Sequence, residues 1–323
     1  MRAAVLRALN EDLSIEEIKQ PEAVSDSVVV ELKYAALNHR DLWITKGQYA
    51  GIELPLVLGS DGVGQYKGER VIINPSLNWG DNNRFQATDY KILGLPDQGT
   101  FAEYITVSKS KLHSVPEHLS MEEAAALPLA GLTAYRALMT KCRPEKGEKV
   151  LISGIGGGVA TMAFLFAQAS GCEVYVTSGS LDKINAAKQM GAADGVSYRT
   201  ENLAKSIKAM TGGGVDIVID SAGGDGFGEL IKACKPGGRI AIYGGTRGVI
   251  SKISPQLIFW RQLEIHGSTM GTDEEFEAML QMIDQHKIKP VVDRTFNLSD
   301  INQAFKHMSR SDQFGKIVVN CNA

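Results

Sequence analysis

Cysteine is scarce in this 323-residue chain, and the four present, Cys142, Cys172, Cys234 and Cys321, stand far apart with no Cys-x-x-Cys pair. That spacing argues against a disulfide framework or a paired-cysteine zinc site; free, buried thiols in a reducing, cytoplasmic setting are expected. Long apolar runs are missing too: none approaches the ~20 residues that span a bilayer. An excess of one charge is also lacking, with 34 Lys and Arg against 37 Asp and Glu, a net charge of −3. Neither nucleic acid nor an anionic membrane finds an electrostatic footprint in such a balance. The start, Met-Arg-Ala-Ala-Val-Leu-Arg, has no small-residue cleavage site and reads as a first strand, not a signal peptide. Histidine is rare, six in all, and none has zinc spacing.

What is present divides into two textures. Up to about residue 120, β-type runs (Ser27–Lys33, Glu69–Ile73, Thr100–Val107) are separated by Gly47, Gly51, Pro55, Gly59, Gly62 and Gly64, with a long polar loop over Ser76–Asp89. Ser120 then offers an N-cap with Glu123 three positions on. Beyond it strands and helices alternate: strands at Val150–Ser153, Glu173–Thr177, Gly195–Ser197, Val215–Asp220 and Arg239–Tyr243, and helices at 158–169, 181–190, 203–210 and near 227–234. Such alternation predicts an α/β fold with a parallel sheet and crossover helices. Helices at 273–286 and 299–310 and strands at Val291–Phe296 and Gly315–Asn320 follow. We expect this tail to rejoin the first part, giving domains at 1–122, 123–257 and 258–323.

The densest chemical signal is Val150-Leu-Ile-Ser-Gly-Ile-Gly-Gly-Gly-Val-Ala160. A strand runs into Gly154, Gly156, Gly157 and Gly158 and then into a helix. Glycines there permit a tight turn and a close approach of phosphate to backbone N–H groups. Gly154, Gly157, Gly158 and Val159 are therefore expected to hold a dinucleotide. An acid at the end of the second strand would hold the ribose hydroxyls of NAD. Here that strand ends Val176-Thr-Ser-Gly-Ser180, followed by Lys183. Hydroxyl donors and a cation in place of a carboxylate suit the 2′-phosphate of NADP(H). Ser178 and Ser180 equally suit a plain helix cap.

Four motifs then act together: Ala35-Ala-Leu-Asn-His-Arg-Asp41 with Lys46-Gly-Gln-Tyr49; Leu54-Pro-Leu-Val-Leu-Gly-Ser-Asp-Gly-Val-Gly64; Leu127-Pro-Leu-Ala-Gly-Leu-Thr-Ala-Tyr135; and the glycine turn. In this order, over essentially the whole chain, they resemble the medium-chain dehydrogenase/reductase superfamily. The resemblance implies a GroES-like β-rich catalytic domain, a Rossmann domain and an active site in the cleft they form. It also marks departures. Zinc-dependent members carry Cys where this chain has Asn38, His where it has Ser60, and another Cys near Leu129. The lobe corresponding to Asn78–Gly94, which holds a structural zinc in those relatives, has no cysteine. Catalytic zinc needs three nitrogen or sulfur ligands, so no metal is expected at either place.

The resemblance is strongest to the zinc-free quinone oxidoreductases, including the zeta-crystallin group, and to related enal and enone reductases. Its glycine motif ends in Ala160 where Gly is usual. It implies that Asn38 lies beside the nicotinamide as a donor to an enolate or quinolate oxygen, that Tyr49 orients or protonates substrate, and that Thr133 sits near the nicotinamide ribose. Tyr198 resembles a tyrosine beside the adenosine phosphate of NADP-binding relatives. Tyr243 and Gly244, with Thr269 and Met270, are expected along the nicotinamide half. Asp41 and Asp61 read as structural, capping loops or pairing with Arg40 or Lys46, and His39 as a loop or surface histidine.

Three functions compete. The first is a zinc-independent, NADPH-dependent reductase of quinones or α,β-unsaturated carbonyls. The second is a zinc-type alcohol dehydrogenase with unusual ligands, and the third an NADPH-binding sensor or structural protein. Partners are a small-molecule substrate and a second copy in a homodimer, with Arg239–Tyr243 and Ile253–Trp260 as candidate edges.

Overall fold

The computed structural model describes residues 1–200, 202–251 and 253–323. Ten short strands open the chain: β1 Arg2–Leu6, β2 Ser14–Glu17, β3 Ser27–Ala36, β4 Leu56–Val57, β5 Asp61–Tyr66, β6 Glu69–Ile73, β7 Ser76–Leu77, β8 Lys91–Ile92, β9 Tyr104–Ser108 and β10 Leu112–Ser114. Helices α1 (His39–Thr45), α2 (Met121–Ala125) and α3 (Pro128–Tyr135) complete this stretch. Ser120 caps α2 as its sequence suggests, accepting from the Glu123 backbone while the Glu123 carboxylate accepts from Ser120. Two stretches depart from expectation. The 76–89 loop begins in β7, which pairs with β8, and the glycine-punctuated 61–66 segment is a true strand.

Strands and helices then alternate: β11 Lys149–Ile152, α4 Gly158–Ala169, β12 Glu173–Ser178, α5 Leu181–Gln189, β13 Asp194–Ser197, α6 Leu203–Thr211, β14 Val215–Asp220, α7 Phe227–Ala233, β15 Cys234–Ile242, α8 Pro255–Phe259 and β16 Glu264–Gly267. They form one all-parallel sheet in the order β13-β12-β11-β14-β15-β16, the doubly wound Rossmann arrangement. Val150, Leu151 and Ile152 are all fully buried, as a central strand covered on both faces requires. The Arg239–Tyr243 run belongs to the longer β15, which lies between β14 and β16 and is therefore no sheet edge. The edges are β13 and β16. The chain closes with α9 Asp273–His286, β17 Val292–Asn297, α10 Ile301–Ser309 and β18 Lys316–Asn320.

Two compact units result: Met1–Leu132 with Gly271–Ala323, and Thr133–Met270. The divisions fall later than the expected 122 and 257. Helix α2 packs on β3 and β5 of the first unit, and β16 extends the parallel sheet of the second. In the first unit β3 is central, with β5 on one side and β18 on the other, both antiparallel to it. The tail thus returns to the first part. Leu32, Ile73, Phe101, Ile301 and Ile317 of this unit are fully buried in one core, each such side chain contributing about 1.5–3 kcal/mol. Because β5 and β18 run opposite to β3, their first residues lie beside its last. No helix among the described residues is long and apolar enough to cross a membrane.

Candidate functional site

In the second unit, β11 ends in the glycine turn. Gly154 has φ +68 and Gly156 φ +127, conformations that side chains with a Cβ rarely adopt. The turn is tied to the neighbouring strand, Gly154 N donating to Thr177 Oγ1 at 3.1 Å and Ile155 N to Thr177 O at 2.8 Å. Gly157 is the N-cap of α4 and supplies no side chain to its first N–H groups; a Cβ built on it meets nothing within 4 Å. Gly154, Gly157, Gly158 and Val159 are partly exposed, while Ala160 is buried in the helix packing. The space before Gly157 and the uncapped N–H groups fit a pyrophosphate.

Strand β12 ends at Ser178, which is buried; Ser180 caps α5, its Oγ accepting from Lys183 N at 3.4 Å, and Ser178 Oγ accepts from Ser180 N at 3.2 Å. Both expected roles of these serines are compatible. Capping uses a lone pair of each oxygen and leaves each hydroxyl proton for a further acceptor. Tyr198, just past β13, lies against this corner, since a Cβ on Gly179 would fall 2.4 Å from its hydroxyl. Over its ring, 5.2 Å from the centroid, stands the Arg247 guanidinium. Sequence reasoning missed Arg247. It follows β15 and reaches this corner because Arg247 N is bonded to Ala222 O, which joins the loops after β14 and β15.

Further along the same carboxyl edge, Tyr243 N donates to Asp220 O at 3.0 Å, and a Cβ on Gly244 would meet Ser221 O at 2.9 Å. Asp220 is fully buried, bonded to the Ser153 hydroxyl and to Gly223 N. Thr269 is exposed. Met270 is buried, its sulfur 3.7 Å from Thr133 Oγ1, so these two expected contacts meet each other.

The first unit holds the other cluster. Asn38 follows β3, Asp61 opens β5 and Lys316 opens β18, so the sheet brings together residues remote in sequence. Lys316 Nζ donates at 2.7 Å to each of Leu37 O, Asn38 Oδ1 and Asp61 Oδ2. Asn38 Nδ2 donates to Asp61 Oδ2 at 2.9 Å, and Leu129 N to Asp61 Oδ1 at 2.7 Å. Lys316 is 4% exposed and Asp61 not at all. The sequence suggests Arg40 or Lys46 as the partner of Asp61; its partner is Lys316, and Lys46 is exposed. Only strand topology decides that choice.

Arg40 Nη1 donates to Ser60 Oγ at 2.6 Å and Leu93 O at 3.0 Å, and its guanidinium lies 5.7 Å from the Tyr49 ring centroid. Tyr49 is 36% exposed; partial burial raises its hydroxyl above the ordinary value, against the opposing effect of Arg40. Asp41 is fully buried and accepts from Asn38 N at 2.8 Å. Burial pushes its carboxyl up to about 6, with Arg40 acting against that rise. His39 stacks obliquely on Trp43, centroids 6.1 Å apart, inside α1 rather than in a loop.

The three positions where the resemblance implies zinc ligands in other members, Asn38, Ser60 and Leu129, are drawn into this network through an amide, a hydroxyl and a backbone N–H. Ser60 Oγ donates to Leu93 O at 2.7 Å besides accepting from Arg40. Among the described residues no group of three His, Cys, Asp or Glu side chains is placed to hold a metal ion. The donor set does not fit zinc. Of the cysteines, Cys142, Cys234 and Cys321 are buried, but Cys172 is only half-buried, its thiol 3.5 Å from Glu145 O at the start of β12.

Comparisons with known proteins agree with this architecture. Residues 24–117 match the alcohol dehydrogenase GroES-like domain, and 158–285 the zinc-binding dehydrogenase family. The chain is 35% identical to the zinc-type alcohol dehydrogenase-like protein YogA of Leptosphaeria maculans, over 95% of this chain and 94% of that one. A solved NAD-dependent alcohol dehydrogenase is 37% identical, with TM-score 0.94 and 99% of each chain covered. The quinone oxidoreductase of Thermus thermophilus, solved also with NADPH, is 27% identical, with TM-score 0.83 over 99% of this chain and 100% of that one.

Proposed function

This chain belongs to the medium-chain dehydrogenase/reductase superfamily, and we propose that it is a zinc-independent, NADPH-dependent reductase of quinones or α,β-unsaturated carbonyls. The observation that carries the reading is the Asn38–Asp61–Lys316 cluster, which offers a hydrogen-bond donor where zinc relatives hold a Lewis acid. Without a metal to acidify an alcohol, an already electrophilic carbon is the suitable hydride acceptor.

NADPH, when bound, would supply the hydride and be left as NADP+. The glycine turn and the first N–H groups of α4 would hold its pyrophosphate, and Ser178, Ser180, Lys183, Tyr198 and Arg247 its 2′-phosphate. As hydride adds to the substrate carbon, an electron pair moves onto the substrate oxygen. Asn38 Nδ2–H stabilises that charge by hydrogen bonding. A proton, delivered by the Tyr49 hydroxyl or by water, completes the reduction. Thr133 is assigned to the nicotinamide ribose. We also assign a homodimer through β16, one of the two sheet edges, with the exposed Trp260 nearby in sequence.

The likeness to an NAD-dependent alcohol dehydrogenase favours a second reading, alcohol oxidation with NAD. The donor set at Asn38, Ser60 and Leu129 and the acid-free end of β12 weigh against it. The test is NADPH consumption against ortho-quinones, para-quinones, enals and enones, with NAD-linked alcohol oxidation and metal content measured on the same sample. Quinone or enone turnover by metal-free protein is expected. Stoichiometric zinc with alcohol oxidation overturns the proposal, and tight NADPH binding without turnover replaces it with a sensor or structural role.

A further inference from the structure

We propose that Lys316 is a positioning residue that locks the Asn38 amide as a donor, making the cluster a site for substrate oxygens that accept hydrogen bonds, oxyanions above all. The inference rests on the functional reading above. An ammonium has three N–H donors and no acceptor. All three of Lys316 are used, at 2.7 Å, on Leu37 O, Asn38 Oδ1 and Asp61 Oδ2. The amide is therefore oriented without ambiguity, because turning it over would press its NH2 group against the ammonium. One Nδ2–H is spent on Asp61 at 2.9 Å. The second makes no hydrogen bond among the described residues and is the donor the cluster leaves unspent.

The same contacts settle the charge. Asp61, fully buried, accepts from Lys316, Asn38 and Leu129 N, so its carboxylate is spoken for. Arg40 and Lys316 balance Asp41 and Asp61, the four charged groups of this neighbourhood. Lys316 also polarises the Asn38 carbonyl and so strengthens the free N–H. A buried cation thus backs the donor where zinc relatives place a metal, but through an amide and with fixed direction. Such a site rewards negative charge developing on a carbonyl oxygen.

The test uses the full chain with NADP+ and 4-nitrophenol, whose phenolate absorbance reports bound oxyanion, beside NADPH turnover of the best quinone or enone. The charge-neutral pair Asp61→Asn with Lys316→Met removes the ammonium without stranding a buried carboxylate. We expect it to keep NADPH affinity, to weaken 4-nitrophenolate binding by about tenfold or more, and to lower kcat similarly with KM little changed. Added to Asn38→Ala, the pair should cost little more, because both act through one N–H. Phenolate binding or kcat unaffected by the pair, or full additivity with Asn38→Ala, overturns the proposal. Should the pair unfold, Lys316→Arg carries the same test. A planar guanidinium keeps the charge but cannot converge on three acceptors as the ammonium does, and wild-type phenolate affinity in that variant overturns the proposal. Wild-type protein that binds phenolate through Asn38 yet reduces no quinone or enone overturns the functional reading alone. Wild-type protein that binds no phenolate overturns this one.

Discussion

The Arg247 guanidinium lies 5.2 Å from the centroid of the Tyr198 ring, at the corner where β12 ends at Ser178 and Ser180 caps α5. A ring face held under a guanidinium restrains it without using its N–H fork, which stays available to a phosphate.

Arg247→Ala and Lys183→Ala are therefore expected to raise the KM for NADPH by about tenfold each, with NADH little affected. Steady-state kinetics with both cofactors check this. Equal effects on the two would remove both residues from the 2′-phosphate site.

The glycine turn makes a second prediction. Gly156 has φ +127, so Gly156→Ala forces a strained backbone costing on the order of 1–3 kcal/mol. Fluorescence titration should show cofactor affinity falling further than the thermal midpoint. Unchanged NADPH binding would mean that the turn does not contact the cofactor.

Asp41 sets a pH dependence. Burial raises its folded-state pKa to about 6, above the ordinary 3.8. The folded protein then holds more protons than the unfolded chain in that interval. The contribution is fully present below pH 3.8 and is lost as pH rises through about 6. Asp41→Asn keeps an oxygen for Asn38 N and cannot ionise. Relative to wild type it should gain stability, on the order of 3 kcal/mol, between acid and neutral pH. Urea unfolding at the two pH values measures this, and a constant difference would refute it.

Burial also pushes the thiols of Cys142, Cys234 and Cys321 up to about 12, and that of Cys172 to about 11. Thiolate is the reactive form, so native protein should react slowly with a thiol reagent at neutral pH. Cys172, the one half-buried thiol, should react first, and all four rapidly after unfolding. Mass spectrometry of partly labelled protein gives the order.

Much of the second unit was legible from the chain itself. The strand at Val215–Asp220 and the helix at 158–169 lie where periodicity places them. In the first unit the Ser120–Glu123 cap forms as written. These are local matters, settled by side-chain period and capping within a few residues. The strands of the first unit were harder. They are short, and a segment such as Asp61–Tyr66, with two glycines, forms a strand only because β3 and β6 flank it.

By itself the sequence determined the alternation that makes a parallel sheet, the glycines that turn after β11 and the absence of an acid at the end of β12. Each depends on residues within one turn or one strand. Tertiary structure alone decided the partners of Asp61 and Tyr198. Lys316 reaches Asp61 and Asn38 because β18 and β5 run antiparallel on either side of β3. Arg247 reaches Tyr198 because the loops after β14 and β15 are bonded to each other. Charges separated by most of the chain carry no mark of pairing in a sequence; strand order and direction bring them within hydrogen-bonding distance.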